Sequence, residues 1–430
     1  MDAVKPTLGH ARQASQTAPA AAFENLHIAI GGEAKPCCEY KGSVGNVKED
    51  SIEKIWSAKP LNDLRAKMMR DERDQRCWKC YEAEEAGGSS LREFFNARGP
   101  VAAAPGTTTA ALAGELPREL DLRFSNLCNM SCRTCGPACS TKWYTDAKKA
   151  EWWKIHRPHA LIDTFESTSA AIESLRPALK NVERIYFAGG EPLLHEGHYA
   201  VLQELIDLGR TDVRFTYNTN LTELRLGKLD VLAIWSKFED IYIGASIDGH
   251  EELGELVREG LSWDRFVKNV RTIRQQCPHV RVGFSITVSV LNVMALAAIY
   301  EHLQAIDPDR EAEIDFNILQ EPRRYSMQIL PADLKAEAKQ RLESFADKFD
   351  TRPGQNSASM RERLQRFSMN SAVKRFSERI RFPLRRVSSR ERFLPRWRGL
   401  WSAGYSADAD VKSRSSANLK VTANLLVTEF

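Results

Sequence analysis

The sequence predicts an α/β fold built on a parallel sheet, and three features of its middle region carry that prediction. Six short apolar runs alternate with amphipathic stretches between residues 118 and about 345. Several of the runs end in glycine or in polar residues, which is where function collects in parallel sheets. The first run leads directly into a group of four cysteines, "NLCNMSCRTCGPACS" at 126–140. Strands separated by helical patterns at this spacing read as βαβ units. Six of them suit either an open doubly wound sheet or a partial β/α barrel.

The elements follow in order. "ELDLRFS" alternates with period two and enters the cysteine loop. "VERIYFAGGEPLL" reads as a strand closed by a Gly-Gly turn, and "VRFTYNTNLT" as a strand with a polar end. "FEDIYIGASIDG" ends in Ser and Asp; "VRVGFSITVSVLN" and "EIDFNILQEP" complete the set. The intervening helices are "ESTSAAIESLRPALKN", "HYAVLQELIDLG" and "SWDRFVKNVRTIRQQC".

Around this region the chain divides by composition. Residues 1–22 form a leader rich in Ala, Gln, Thr and Pro, and 23–98 a compact cysteine-containing unit. Residues 99–117, within the Ala/Gly/Pro/Thr-rich "ARGPVAAAPGTTTAALAGELP", read as a linker. The core spans 118–345, and 346–430 is a basic tail of irregular pattern. Charged residues make up 27% and hydrophobic residues 43% of 430, the balance of an ordinary globular chain. No run of 18 or more apolar residues occurs, so no membrane span is expected. The N-terminus lacks the pattern of a secretory signal, and a cytoplasmic location is the expectation.

The nine cysteines carry more information. Cys37, Cys38, Cys77 and Cys80 form one group and Cys128, Cys132, Cys135 and Cys139 another, with Cys277 alone. An odd count in tight clusters argues against a disulfide framework and for metal or redox chemistry in a reducing compartment. Cys128-x3-Cys132-x2-Cys135 offers three thiolates, the ligands that suit iron–sulfur clusters. A cubane so held keeps one iron open to an exogenous ligand, as catalytic metal sites do. The competing reading is an all-cysteine zinc tetrahedron completed by Cys139. On the iron–sulfur reading Cys139 is a free thiol on the following helix, and Cys277 a packed, inert residue.

"CNMSCRTC" after a first strand and "GGEP" after a second together resemble the radical S-adenosylmethionine (radical SAM) superfamily, over about residues 119–325. The resemblance implies a partial (β/α)6 barrel of the radical SAM type. It implies a [4Fe–4S] cluster on Cys128, Cys132 and Cys135, with S-adenosylmethionine chelated to the open iron. Reductive cleavage of that cofactor to a 5′-deoxyadenosyl radical, which abstracts hydrogen from a substrate, is the implied activity. A reducing donor such as flavodoxin or ferredoxin is the implied partner. By motif position, Gly189, Gly190 and Glu191 would receive the methionine moiety, where glycine lets backbone approach closely. Thr219, Asn220, Ser246 and Asp248 would touch ribose and carboxylate, Ser246 foremost. The family often has an aromatic residue before the third cysteine; Thr134 stands here, so no adenine contact is expected from it.

The N-terminal unit has a parallel logic. "IAIGGEAKPCC" reads as a hairpin with its turn at Gly-Gly, "GSVGN" as a second turn, and "DSIEKIWSAKPLNDLRAKMMR" as a helix with an Asp/Ser start. Cys77-x2-Cys80 follows. "KPCC", "GSVGN" and "CWKC" resemble the SPASM/twitch module, which implies an auxiliary [4Fe–4S] cluster on Cys37, Cys38, Cys77 and Cys80. The competing reading is a zinc knot held by all four cysteines. Such modules accompany peptide maturation and small-molecule dehydrogenation, so an unidentified substrate of either kind, a peptide included, is implied. Arginines dense between 361 and 398 could contact nucleic acid; a solvated face is the simpler reading, and nucleic acid is not expected as a partner. The alternative to an enzyme is a non-catalytic zinc-binding or nucleic-acid interaction protein.

Overall fold

The computed structural model describes residues 20–85, 90–97, 114, 116–150, 157–310 and 312–350, with side chains to 345. The basic stretch at 361–398 and most of the 99–117 linker lie outside the described residues.

All six expected strands are present. The N-terminal unit supplies β1 (Asn25–Ile28), β2 (Glu33–Lys35) and β3 (Gly45–Asn46). The core supplies β4 (Glu119–Leu122), β5 (Ser131–Cys132), β6 (Arg184–Phe187), β7 (Arg214–Thr219), β8 (Arg225–Leu226) and β9 (Leu229–Asp230). It continues with β10 (Ile241–Ser246), β11 (Arg258–Glu259), β12 (Arg281–Val288) and β13 (Ile314–Ile318). One mixed sheet of nine strands runs β13-β12-β10-β7-β6-β4-β1-β2-β3. From β13 to β1 every neighbouring pair is parallel. The last two pairings, β1 with β2 and β2 with β3, are antiparallel.

Parallel pairing puts residues in register on one face of the sheet. His27, Asp121, Tyr186, Thr216 and Tyr242 form one such row. Asn218, Gly244 and Gly283 form the row above, and Ser246 pairs with Ser285 beyond it. This face is polar. The alternate residues, Leu120, Leu122, Ile185, Phe187, Phe215, Tyr217, Ile241, Ile243, Phe284 and Ile286, are buried and apolar. They meet the crossover helices: Phe187 lies 4.9 Å from His198 of Glu196–Asp207, Tyr217 5.3 Å from Trp235 of Val231–Trp235, and Phe284 6.3 Å from Phe266 of Trp263–Gln276 (ring centroids). The apolar side thus holds the fold together and the polar side is left for chemistry. The helices start on side-chain caps: Ser167 accepts from the Ala170 N–H and Ser262 from the Arg265 N–H.

The N-terminal unit is continuous with this sheet, because β1 pairs with β4 from Asn25↔Glu119 to Ile28↔Leu122. The hairpin at Gly31-Gly32 forms as its sequence suggests. The single helix expected across 50–70 is instead two, Ile52–Trp56 and Lys59–Met69. Pro60 is the reason: it has no N–H to continue a helix but is well placed to begin one. Arg65 bridges the pair of helices back to the chain start, donating from Nε to the Ala22 carbonyl and from Nη1 to the Trp56 carbonyl, both at 2.8 Å. Cys277 is buried, with its Sγ 3.5 Å from the Leu232 carbonyl, as a packed thiol should be.

His198, fully buried between Phe187 and Tyr217, shares a 3.0 Å hydrogen bond with the Tyr217 hydroxyl. Burial pushes its pKa down to about 3. The unfolded chain therefore takes up a proton near pH 6.5 that the fold refuses. Stability is full above that pH and declines below it, by up to about 1.4 kcal/mol per pH unit. Thermal unfolding between pH 7 and 5 should fall more steeply for the wild type than for His198→Gln; parallel curves would remove His198 from the acid sensitivity.

Candidate functional site

The cysteine loop leaves the C-terminal end of β4 and is fixed on three sides. Its middle, Ser131–Cys132, pairs antiparallel with Arg258–Glu259, so β5 and β11 form a two-stranded clamp. The Arg133 N–H donates to the Val257 carbonyl at 2.9 Å, and Arg133 Nε to that of Leu256 at 2.9 Å. The Trp143 indole donates to the Cys132 carbonyl at 2.9 Å. Asn126, wholly buried, donates through Nδ2 to the Pro137 and Ala160 carbonyls and accepts from the Ile162 N–H at 2.7 Å.

Two glycines set how closely other segments approach this loop. Gly190 has φ +54°, and a Cβ there would come within 2.3 Å of the Leu127 carbonyl oxygen and 2.8 Å of that of Ser125. Gly260 has φ +99°, and its Cβ would meet the Asn129 carbonyl at 2.9 Å. The GGEP turn and the turn after β11 thus press on the loop from two sides, where only glycine fits. Cys128, Cys132 and Cys135 remain half-buried on it, neither sealed in the core nor free in solvent.

Cys139 differs from expectation. It lies in the turn 137–139, not on a helix, because the next regular helix begins only at Tyr144. It is exposed, and its interaction with Cys135 lowers its own pKa and raises that of Cys135. Burial pushes Cys128 up to about 12, and it also raises Cys132 despite the nearby guanidinium of Arg258.

The strand-end residues converge on this loop. Glu191, 2% exposed, accepts from the Leu193 N–H at 3.1 Å, the Thr219 hydroxyl at 2.6 Å and the Asn220 N–H at 2.7 Å. Burial raises its pKa, against the pull of those bonds. Asn220 donates to Asn129 Oδ1 at 2.8 Å, and Asn129 donates to the Thr222 hydroxyl at 2.8 Å. Glu191, Thr219 and Asn220 therefore tie β6, β7 and the cysteine loop into one network. Asp248, at 0% exposure, accepts from the Thr287 N–H at 2.7 Å and pairs with Arg258 Nε at 2.9 Å. Ser246 is half-buried at the end of β10, and among the described residues no partner engages its hydroxyl. Gly189 and Gly190 are both at positive φ beside the loop.

Arg258 was not foreseen. Its Nη1 lies 3.9 Å from Cys132 Sγ, and its chain runs from Asp248 to the cysteine loop. Burial works against its charge, but Asp248 and Cys132 hold it well above the ordinary arginine value. No spacing in "ELVREG" signals this, since the clamp with β5 is a long-range pairing.

In the N-terminal unit Cys37, Cys77 and Cys80 line one cavity with Ala21, Glu39, Tyr40, Lys79, Leu91, Arg92 and Phe95. Burial raises all three thiols, Cys77 to about 12. Cys38 is exposed. Between the two cysteine groups runs a polar chain on β1 and β4: His27 Nδ1 lies 2.7 Å from Asp121, which accepts from Arg123 Nε at 3.2 Å and Nη2 at 3.3 Å.

The donor chemistry suits iron–sulfur clusters at both places: clustered thiols, a loop pressed by glycines, and a guanidinium directed at one sulfur. Comparison with known families agrees. Residues 122–303 match the radical SAM superfamily, and residues 20–81 match the SPASM iron–sulfur cluster-binding domain. Residues 122–303 thus form a radical SAM domain, and residues 20–81 a SPASM module that precedes it in the chain. Domains of these kinds hold a [4Fe–4S] cluster with S-adenosylmethionine and auxiliary iron–sulfur clusters. Both matches set aside the reading as a zinc-binding interaction protein. Similar solved structures include native anSMEcpe with bound AdoMet, 16% identical over 54% of this chain and 59% of that one, TM-score 0.38. Streptococcus suis SuiB is 16% identical over 70% of this chain and 60% of its own, TM-score 0.37. The chain thus spans less than two thirds of the length of these structures. Among the described residues no helix is long and apolar enough to cross a membrane.

Gly190→Ala should cost about 1–3 kcal/mol, the scale of a strained backbone position, and lower the iron retained after anaerobic reconstitution. Wild-type stability and iron content in that variant would show that the close approach to Leu127 is dispensable.

Proposed function

We propose that this chain is a radical SAM enzyme that acts on a substrate seated over the polar face of the sheet. Cys128, Cys132 and Cys135 would hold the cluster, and Gly189, Gly190 and Ser246 would line the cofactor's site. When bound, the cluster and S-adenosylmethionine supply a 5′-deoxyadenosyl radical that abstracts hydrogen. The single observation that carries this reading is the loop of three half-buried cysteines, gripped between Gly190 and Gly260 at the carboxyl ends of parallel strands.

The chain's own residues divide into two kinds of work. Ser246 has a free hydroxyl at the end of β10 and is the strand-end residue best able to donate to a ligand. Glu191, Thr219, Asn220 and Asp248 are positioning residues: their polar atoms are engaged inside the protein, and they hold the loop and Arg258 in place. Arg258 keeps a positive charge beside Cys132, which lowers the cost of adding an electron nearby. The row His27, Asp121, Tyr186, Thr216 and Tyr242 gives the substrate polar contacts below the site. A peptide is the proposed substrate class and a low-potential electron carrier the proposed reductant, as the likeness of the N-terminal unit to SPASM modules implies.

Cys132→Ala should abolish formation of 5′-deoxyadenosine from S-adenosylmethionine under reducing conditions. Retained product would contradict the ligand assignment. Ser246→Ala should raise the Kd for S-adenosylmethionine about fivefold, from the loss of roughly 1 kcal/mol of one net hydrogen bond. Binding unaltered by calorimetry would take Ser246 out of the site.

A further inference from the structure

A cluster of donor side chains lies apart from both cysteine groups. The turn after β10 places His250 just before the helix Glu251–Val257, and the helix Leu296–Gln304 carries His302. The two imidazoles stack with centroids 3.7 Å apart and planes 13° from parallel. His250 is buried, whereas Glu251 beside it keeps its side chain largely in solvent. Glu251 Oε2 lies 3.8 Å from His250 Nδ1. One donor atom from each of His250, Glu251 and His302 lies within 4.8 Å of the other two.

Two further features prepare these groups for a cation. His302 Nδ1 donates to the Ala298 carbonyl at 2.8 Å, since a carbonyl oxygen only accepts. That bond sets the tautomer and leaves Nε2 with the lone pair, the arrangement in which a histidine ligates metal. Glu251 adopts φ +45°, which residues with a Cβ seldom hold; only Asp71 and Leu221 share it among the described non-glycine residues. Strain of this kind persists where the surrounding structure imposes it. Here it accompanies a carboxylate set beside the preceding histidine.

We propose that His250, Glu251 and His302 bind a divalent transition-metal ion of the zinc type, which staples the turn after β10 to the helix Leu296–Gln304. Two imidazoles and a carboxylate suit zinc and leave one position for water. Nitrogens on a tetrahedral zinc sit about 3.4 Å apart. The donor atoms reach that spacing by side-chain rotation, for which the exposed Glu251 has room. The effect reaches the cysteine loop through the chain itself. The helix Glu251–Val257 runs directly into β11, whose Arg258 pairs with Asp248 and approaches Cys132. A metal at the start of that helix would therefore brace the strand that clamps the loop.

The test uses the full chain after anaerobic cluster reconstitution, incubated with zinc sulfate and desalted. Wild type should retain about one zinc per chain. Glu251→Gln and His302→Gln should each weaken zinc binding about tenfold or more, at least the loss that follows from disturbing a ligand's outer partners, with iron content unchanged. Glu251 is exposed, so its substitution probes ligation without opening the core. Zinc-edge X-ray absorption should show nitrogen and oxygen at about 2.0–2.1 Å. Zinc should also raise the Tm of the wild type and leave that of His302→Gln where it was. Equal zinc retention in the wild type and both variants, sulfur ligation at about 2.3 Å, or no zinc on the wild type would overturn the site. Each of those results would leave the cluster assignments standing, because the site shares no ligand with them.

Discussion

The structure depends on the grip of backbone on the cysteine loop. A loop of three potential thiolate ligands is useful only if the sulfurs stay converged when no metal holds them. Here the loop is fixed by main-chain contacts more than by side chains. The clamp of β5 against β11 fixes Cys132. The Glu191 N–H donates to the Leu127 carbonyl at 2.7 Å, just before Cys128. Gly190 and Gly260 allow approaches that any Cβ would prevent. Backbone pairing of this kind leaves the sulfurs free for ligation and gives the loop one arrangement.

Buried polar residues extend that grip into the sheet. Glu191 is held by three donors from two segments, and Asn220 passes the connection to Asn129 in the loop. Asp248 does the same on the other side, through Arg258 to Cys132. A network in which each member has a partner rigidifies a site, whereas one lost partner leaves a buried polar group exposed to the full cost of desolvation. The motif residues at the ends of β6, β7 and β10 therefore shape the site chiefly by holding the loop, while the Ser246 hydroxyl has no partner among the described residues. The N-terminal unit is tied in by the same logic, since β1 extends the sheet and brings His27 onto Asp121.

Much of this was legible in the sequence. Strand alternation in "ELDLRFS" and "VRFTYNTNLT" marked the parallel sheet because one face is apolar and packed and the other polar. The cysteine spacing and "GGEP" marked the site because thiolates and close backbone approach have few other uses. Three features were not legible. The role of Arg258 depends on a two-residue pairing between segments 126 residues apart. The break at Pro60 competes with a continuous apolar pattern, and local backbone chemistry wins. The pairing of β1 with β4 joins two regions separated by a linker, so the register of Asn25 on Glu119 has no local signal.

The central claim is that the loop of Cys128, Cys132 and Cys135 holds a cluster whose fourth corner takes S-adenosylmethionine. Pulsed EPR on the reduced, anaerobic protein with cofactor labelled with ¹⁵N at the methionine amino group tests it most directly. The account predicts a nitrogen hyperfine coupling that appears with the cofactor and is absent in the Cys132→Ala variant. A reduced cluster in the wild type whose spectrum shows no such coupling would contradict it.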